Sequence, residues 1–121
     1  MDPIEANIKH QQGDLWEVSW KIAANLTGHA CRFAVMNGTT AVLTRLTSNQ
    51  TMTLTYDAVE TITAIVDGVS VTETGVTTLS PVLTLAESAA LTPGIYDYEI
   101  EDLVGNTYSK GKCTVNPEIS K

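Results

Sequence analysis

The feature that most constrains this chain is a period of two in its apolar residues. In "LWEVSWKI", Trp16, Val18, Trp20 and Ile22 share one side of an extended backbone, and Glu17, Ser19 and Lys21 share the other. "ACRFAV" repeats the pattern with Cys31, Phe33 and Val35, "TMTLTY" with Met52, Leu54 and Tyr56, and "YDYEI" with Tyr96, Tyr98 and Ile100. Side chains alternate across a strand, so this spacing predicts strands buried on one face. "VETITAIV", "PVLTL" and "YSKGKCTV" are rich in strand-forming residues and complete the set.

Turn signals separate these runs: Leu26 to Gly28, Asn37 to Thr39, Val66 to Val69, Pro93-Gly94, and Val104 to Asn106. Asn-Gly and Asp-Gly supply the positive φ of tight hairpins. The one helical candidate, "LAESAAL" at 85–91, stops at Thr92-Pro93. Short strands at this spacing predict an all-β sandwich or barrel. We read the chain as an antiparallel β-sandwich of about 7–9 strands with one short helical turn near residues 86–91. Its expected core is Trp16, Val18, Trp20, Phe33, Val35, Leu54, Leu85, Leu91, Tyr96, Tyr98, Ile100 and Val115.

A chain of 121 residues, 43% hydrophobic, suits a single domain over 1–121. The polar ends, 1–6 and 117–121, read as loosely attached, so their removal should leave the melting temperature within a few degrees. The net charge of −7 argues against a nucleic-acid partner and against anionic lipid. No apolar run reaches membrane-spanning length, and "MDPIEANIKHQQGD" lacks the pattern of a secretory signal.

Two cysteines are too few for a disulfide scaffold, and His10 and His29 lie in separate segments, so no metal and no cofactor are expected. If the 96–100 strand runs between Cys31 and Cys113, their backbones stand roughly 9–10 Å apart, two strand spacings. A disulfide needs Cα atoms within about 7 Å, which predicts two free thiols.

The candidate chemistry thins out on inspection. No serine sits in a Gly-x-Ser-x-Gly turn. His29 reads as a polar strand-end residue rather than a general base. Asp57, Glu60, Asp67 and Glu73 lack the loop pattern of a calcium site. Trp16 and Trp20 would make a carbohydrate platform if exposed, but their spacing with Val18 and Ile22 places them in the core. The row Asp97, Glu99 and Glu101 is either a site, for a metal or a basic partner, or the wet side of a sheet, and its alternation with Tyr96, Tyr98 and Ile100 favours the wet side. Acids there also discourage wrong pairing. No catalytic, cofactor or metal residue is assigned, and the partner-binding positions stay open.

Three segments in order, "GDLWEVSWKIAANLTG", "LTLAESAALTPGIYDYEIED" and "GKCTVNPEIS", form a wider pattern. It resembles small immunoglobulin-like β-sandwich virion proteins of tailed bacteriophages. It is similar too to the N-terminal domain of upper baseplate proteins of phages of Gram-positive hosts. The resemblance spans most of residues 8 to 119, and the middle, roughly 47 to 80, fits least and reads as an inserted hairpin.

Gly28 and Gly111 are folding positions within it: a sharp turn, and a bulge or close backbone approach. The resemblance implies a non-enzymatic structural subunit located in the virion and assembled in the host cytoplasm. It would serve as a capsid decoration, neck, or tail or baseplate fibre-anchoring adaptor. Its expected partners are other virion proteins, met through the termini, the 66–80 region read as a loop, and an edge strand; a homo-oligomer is compatible. The alternative is a host-surface, glycan-binding module, for which Tyr56 and Tyr108 are the candidate exposed aromatics.

Overall fold

A computed structural model describes residues 4–16, 18–66 and 68–117. Among the described residues, nine strands and one short helix follow in the order β1 (Ile4–Glu5), β2 (Ile8–Gln11), β3 (Trp20–Ile22), β4 (Cys31–Asn37), β5 (Thr40–Leu46), β6 (Met52–Val66), β7 (Val69–Pro81), α1 (Leu85–Ala89), β8 (Gly94–Asp102) and β9 (Thr107–Asn116). One sheet has the order β1-β9-β8-β4-β5, with β2 also on β9; the other has the order β3-β7-β6. This is an all-β sandwich with the strand partition of an immunoglobulin-like domain. The ladders are antiparallel except where β1 and β2 run parallel to β9.

The two sheets meet through aromatic rings. Trp20 of β3 packs on Phe33 of β4 with centroids 4.9 Å apart and on Tyr98 of β8 at 5.6 Å. Tilted pairs at such distances are favoured over face-to-face stacks. Tyr96 at the start of β8 donates its hydroxyl to the Thr92 carbonyl at 2.6 Å, a tyrosine corner. The position two residues on, where antibody domains place an inter-sheet cysteine, is Tyr98. An aromatic contact to Trp20 therefore occupies the place of a covalent link.

Burying Tyr98 requires a partner for its hydroxyl. It finds the Ala6 carbonyl at 2.6 Å and Ser109 Oγ at 3.2 Å. The residue opposite Tyr98 on β9 is Gly111, and a Cβ there would collide with that same Ala6 carbonyl. Gly111 thus leaves the gap into which the break between β1 and β2 drops, the close approach expected of it.

Several expectations need correction. Residues 4–6 are not loose: β1 pairs with Ser109 and Lys110, and Ala6 N donates to the Lys110 carbonyl at 3.0 Å. At the other end, Gln11 donates to the Pro117 carbonyl. Residues 1–3 and 118–121 lie outside the described residues, as do Glu17 and Asp67. The run 16–22 is a strand only at Trp20–Ile22, although Trp16 and Val18 still pack against the core.

The "PVLTL" run is not a strand. Pro81 ends β7, and Thr84 caps α1 through a reciprocal capping box with Glu87. Leu85, expected in the core, is 56% exposed, because the short helix turns Ser88 inward and leaves the apolar contacts to Leu83 and Leu91. The helix covers 85–89, not 86–91; Gln12 Nε2 meets the Ala89 and Leu91 carbonyls at 2.9 Å each and satisfies its last turn.

The middle of the chain differs most. The two strands expected over 52–66 are one strand, β6, with an irregularity between Asp57 and Thr61. The expected 66–80 loop is mostly strand: β7 runs from Val69 to Pro81. β5 was not foreseen because its inward row contains Arg45. That guanidinium is buried and donates to the Val82 and Thr44 carbonyls and to Glu87 Oε2 at 2.5 Å, tying the sheet edge to α1.

Trp20→Ala should cost about 3–5 kcal/mol in urea unfolding, because it deletes the ring both sheets share. Deleting residues 1–6 removes β1 and the Tyr98 acceptor. We expect it to lower the denaturation midpoint clearly, where loose ends would leave it unchanged.

Candidate interaction surfaces

The acidic row of β8 faces solvent on the outer side of the larger sheet, and neighbouring strands answer it. Asp97 accepts from Lys112 Nζ of β9 at 2.5 Å, and Glu101 pairs with Arg32 of β4. Glu99 stands in register with Lys110. Cross-strand pairs of opposite charge stabilise a sheet modestly and fix its register. The row is therefore interleaved with cations on both flanks, as a solvated face rather than an unbalanced acidic patch. A shallow concavity of about 960 Å3 lies over it, between Ala6–Asn7 and Gly38–Thr39, with Ala34 and Met36 along β4.

The second surface is the β6–β7 hairpin. β3 covers β7 only at Thr77–Leu79, so from Gly75 to the turn each strand has just the other as a neighbour among the described residues. At the strand rise this distal ribbon is roughly 20 Å long. Its base is fixed. Thr77, fully buried, receives a hydrogen bond from Leu26 N at 3.0 Å and donates to the Ala24 carbonyl at 2.6 Å. The Tyr56 hydroxyl lies where a side chain at Gly75 would be, so Gly75, with φ 93°, is the residue that fits there.

Farther out, Thr61, Thr63, Thr72 and Thr74 share register positions, with Thr63 and Thr72 hydroxyls 3.0 Å apart. Val59 and Val69 are largely exposed. Exposed apolar side chains on a ribbon with no further strand beside it among the described residues mark a contact element rather than a core.

Two buried polar clusters among the described residues were not foreseen. His10, 5% exposed on β2, places Nε2 2.6 Å from Ser88 Oγ of α1 and stacks against Trp16 at 4.8 Å. A serine beside a histidine is the beginning of nucleophilic chemistry. Ser88 is fully buried, so here the pair ties strand to helix. Asp102, 2% exposed, accepts from Tyr108 OH at 2.6 Å, Asn106 Nδ2 at 2.8 Å, and the Val104 and Asn106 amides at 3.0 Å.

Burial opposes ionisation of Asp102, but these four donors outweigh it and hold the carboxyl well below the usual range. Burial first, and then the bond to Asp102, push the Tyr108 phenol up. Cys31 and Cys113 are free and buried; burial raises both thiols, Cys113 to about 11. β8 lies between their strands, as expected.

The remaining sequence candidates disperse. Trp20 is in the core, and Trp16 packs against it. Tyr108 is buried on Asp102, so it is not an exposed aromatic; Tyr56 is about one-third exposed. His29 is exposed in the loop before β4. Asp57 accepts from Val59 N, and Glu60 pairs with Lys21. Among the described residues no three His, Cys, Asp or Glu gather as metal ligands. The fully buried Ser88 had a legible signal in the capping box around it; its partner His10 had none. No family model, characterised protein or solved structure matches the chain.

His10 carries a pH prediction. Burial lowers its pKa from 6.5, with Asp14 pulling the other way. The unfolded chain then binds the proton more readily, so stability is complete above about pH 6.5 and declines as pH falls through the folded-state value. Urea midpoints should drop between about pH 7 and 5, and His10→Gln should flatten that decline. An equal slope in the variant would assign it to other groups.

Proposed function

We infer that the chain is a non-enzymatic structural subunit of a tailed-bacteriophage virion, a decoration or adaptor that binds larger virion proteins. The observation that carries this reading is the distal β6–β7 ribbon: a strand pair anchored at its base, open along both edges and exposing Val59 and Val69. Such a ribbon binds by adding strands or laying its apolar side chains on another protein. Of its described acids, Asp57, Glu60 and Glu73, Glu60 alone meets a cation, Lys21 of β3, and the sequence holds no Lys or Arg between Arg45 and Lys110. The docking surface on the larger protein is therefore neutral or basic at its rim. The sequence resemblance supplies the setting of head, neck or tail. The alternative of a host-surface glycan binder loses one of its two aromatic candidates, since Tyr108 is buried.

The test uses particles. A tagged chain should co-purify with phage particles through density-gradient banding. A variant in which 61–74 is replaced by a tight turn should keep its melting temperature within a few degrees and lose the particles. A full-length chain that never bands with particles overturns the virion reading; a shortened variant that still incorporates moves the contact away from the ribbon.

A further inference from the structure

The outer edge of β6 is open. The strand extends for 15 residues, and its only strand neighbour among the described residues is β7. Proteins blunt such edges with Lys, Pro, bulges or short length. β6 uses one of these devices, the irregularity between Asp57 and Thr61. Beyond it, "TITAIV" at 61–66 has no charge, no Pro and no Gly, and is mostly β-branched. Segments of that composition pair readily with another strand. The ribbon also has a deficit to remove, since two strands without a third or a packed layer are marginal in water.

We propose that this edge is completed by the same edge of a second copy: β6 pairs antiparallel with β6 across a two-fold axis, joining two three-stranded sheets into one of six strands. Geometry selects a second copy. An antiparallel strand is complementary to itself, because each pairing of one residue with another recurs with the roles exchanged. Charge narrows the place. Copies carrying −7 each repel over most approaches, and 61–66 is an uncharged stretch that two copies can bring together.

With Thr63 on the axis, Thr61 faces Ile65 and Glu60 faces Val66, so no acid opposes an acid within the paired stretch. Thr63 is exposed, and its hydroxyl is held by Thr72 across the hairpin. The contact is small beside the roughly 1,200–2,000 Å2 of a stable interface. The dimer is accordingly weak, with a dissociation constant on the order of 10–100 μM, and is filled where copies are concentrated. This rests on the reading of the ribbon as the contact element, but it is tested on the purified chain without particles, so the two fail separately.

Sedimentation of the full chain from about 1 to about 300 μM should show a reversible monomer–dimer equilibrium. Thr63→Lys sets two ammonium groups against each other on the axis and should weaken it by at least about tenfold while leaving the circular-dichroism spectrum unchanged. Hydrogen exchange on the unmodified chain gives a second readout that does not depend on the variant folding. Amides of 61–66 should exchange more slowly at high concentration than at low. A chain that stays monomeric throughout, a Thr63→Lys variant that dimerises equally well, or protection that maps to another edge would each overturn the pairing.

Discussion

The hydrogen bond from Tyr98 to the Ala6 carbonyl organises much of this sandwich. A tyrosine in the middle of a core must place its hydroxyl, and leaving it unpaired would cost about 1–3 kcal/mol. Here the acceptor lies in the N-terminal segment, reached across Gly111, where any side chain would occupy the carbonyl's place. The ring below touches Trp20 and Phe33, so one residue couples the two sheets and the N-terminal strand. Once β1 is seated, β2 follows along β9 and brings His10 and Gln12 to α1. The helix and the sheet edge are then joined by Arg45 and Glu87.

This arrangement replaces covalent closure with buried polar contacts. Both thiols are free, and neither is close to serving as a staple. Instead Asp102 gathers the loop before β9, Thr77 holds the loop after β3, and Ser88 meets His10. Each is a buried polar group with a partner, so each stabilises only while the surrounding geometry is kept. That requirement specifies one native arrangement more sharply than apolar packing alone. It also concentrates rigidity in the body of the sandwich and leaves the distal hairpin as the part free to meet another protein.

The alternation of Phe33, Val35, Tyr98 and Ile100 was legible because half-buried strands impose a period of two on any sequence. The close approach at Gly111 was legible too, since it is a local demand on one residue. β5 and β7 were not. Arg45 points inward where an apolar residue is expected, and the threonines of β7 occupy both faces of a ribbon whose outer half has no core to face. A strand without a buried side has no reason to show alternation.

The sequence by itself determined an all-β fold, its main core positions and the separation of the cysteines, because those follow from side-chain periodicity and strand order. Only the tertiary structure decided that the N-terminal residues belong to the sheet, that Tyr108 is buried on Asp102 rather than exposed, and that β6 and β7 extend beyond the sandwich. Three further contacts have partners distant in sequence: Lys110 for Ala6, Ser88 for His10, Glu87 for Arg45. Local pattern carries no information about an acceptor that arrives only when the chain closes, and so these contacts became visible with the fold and not before it.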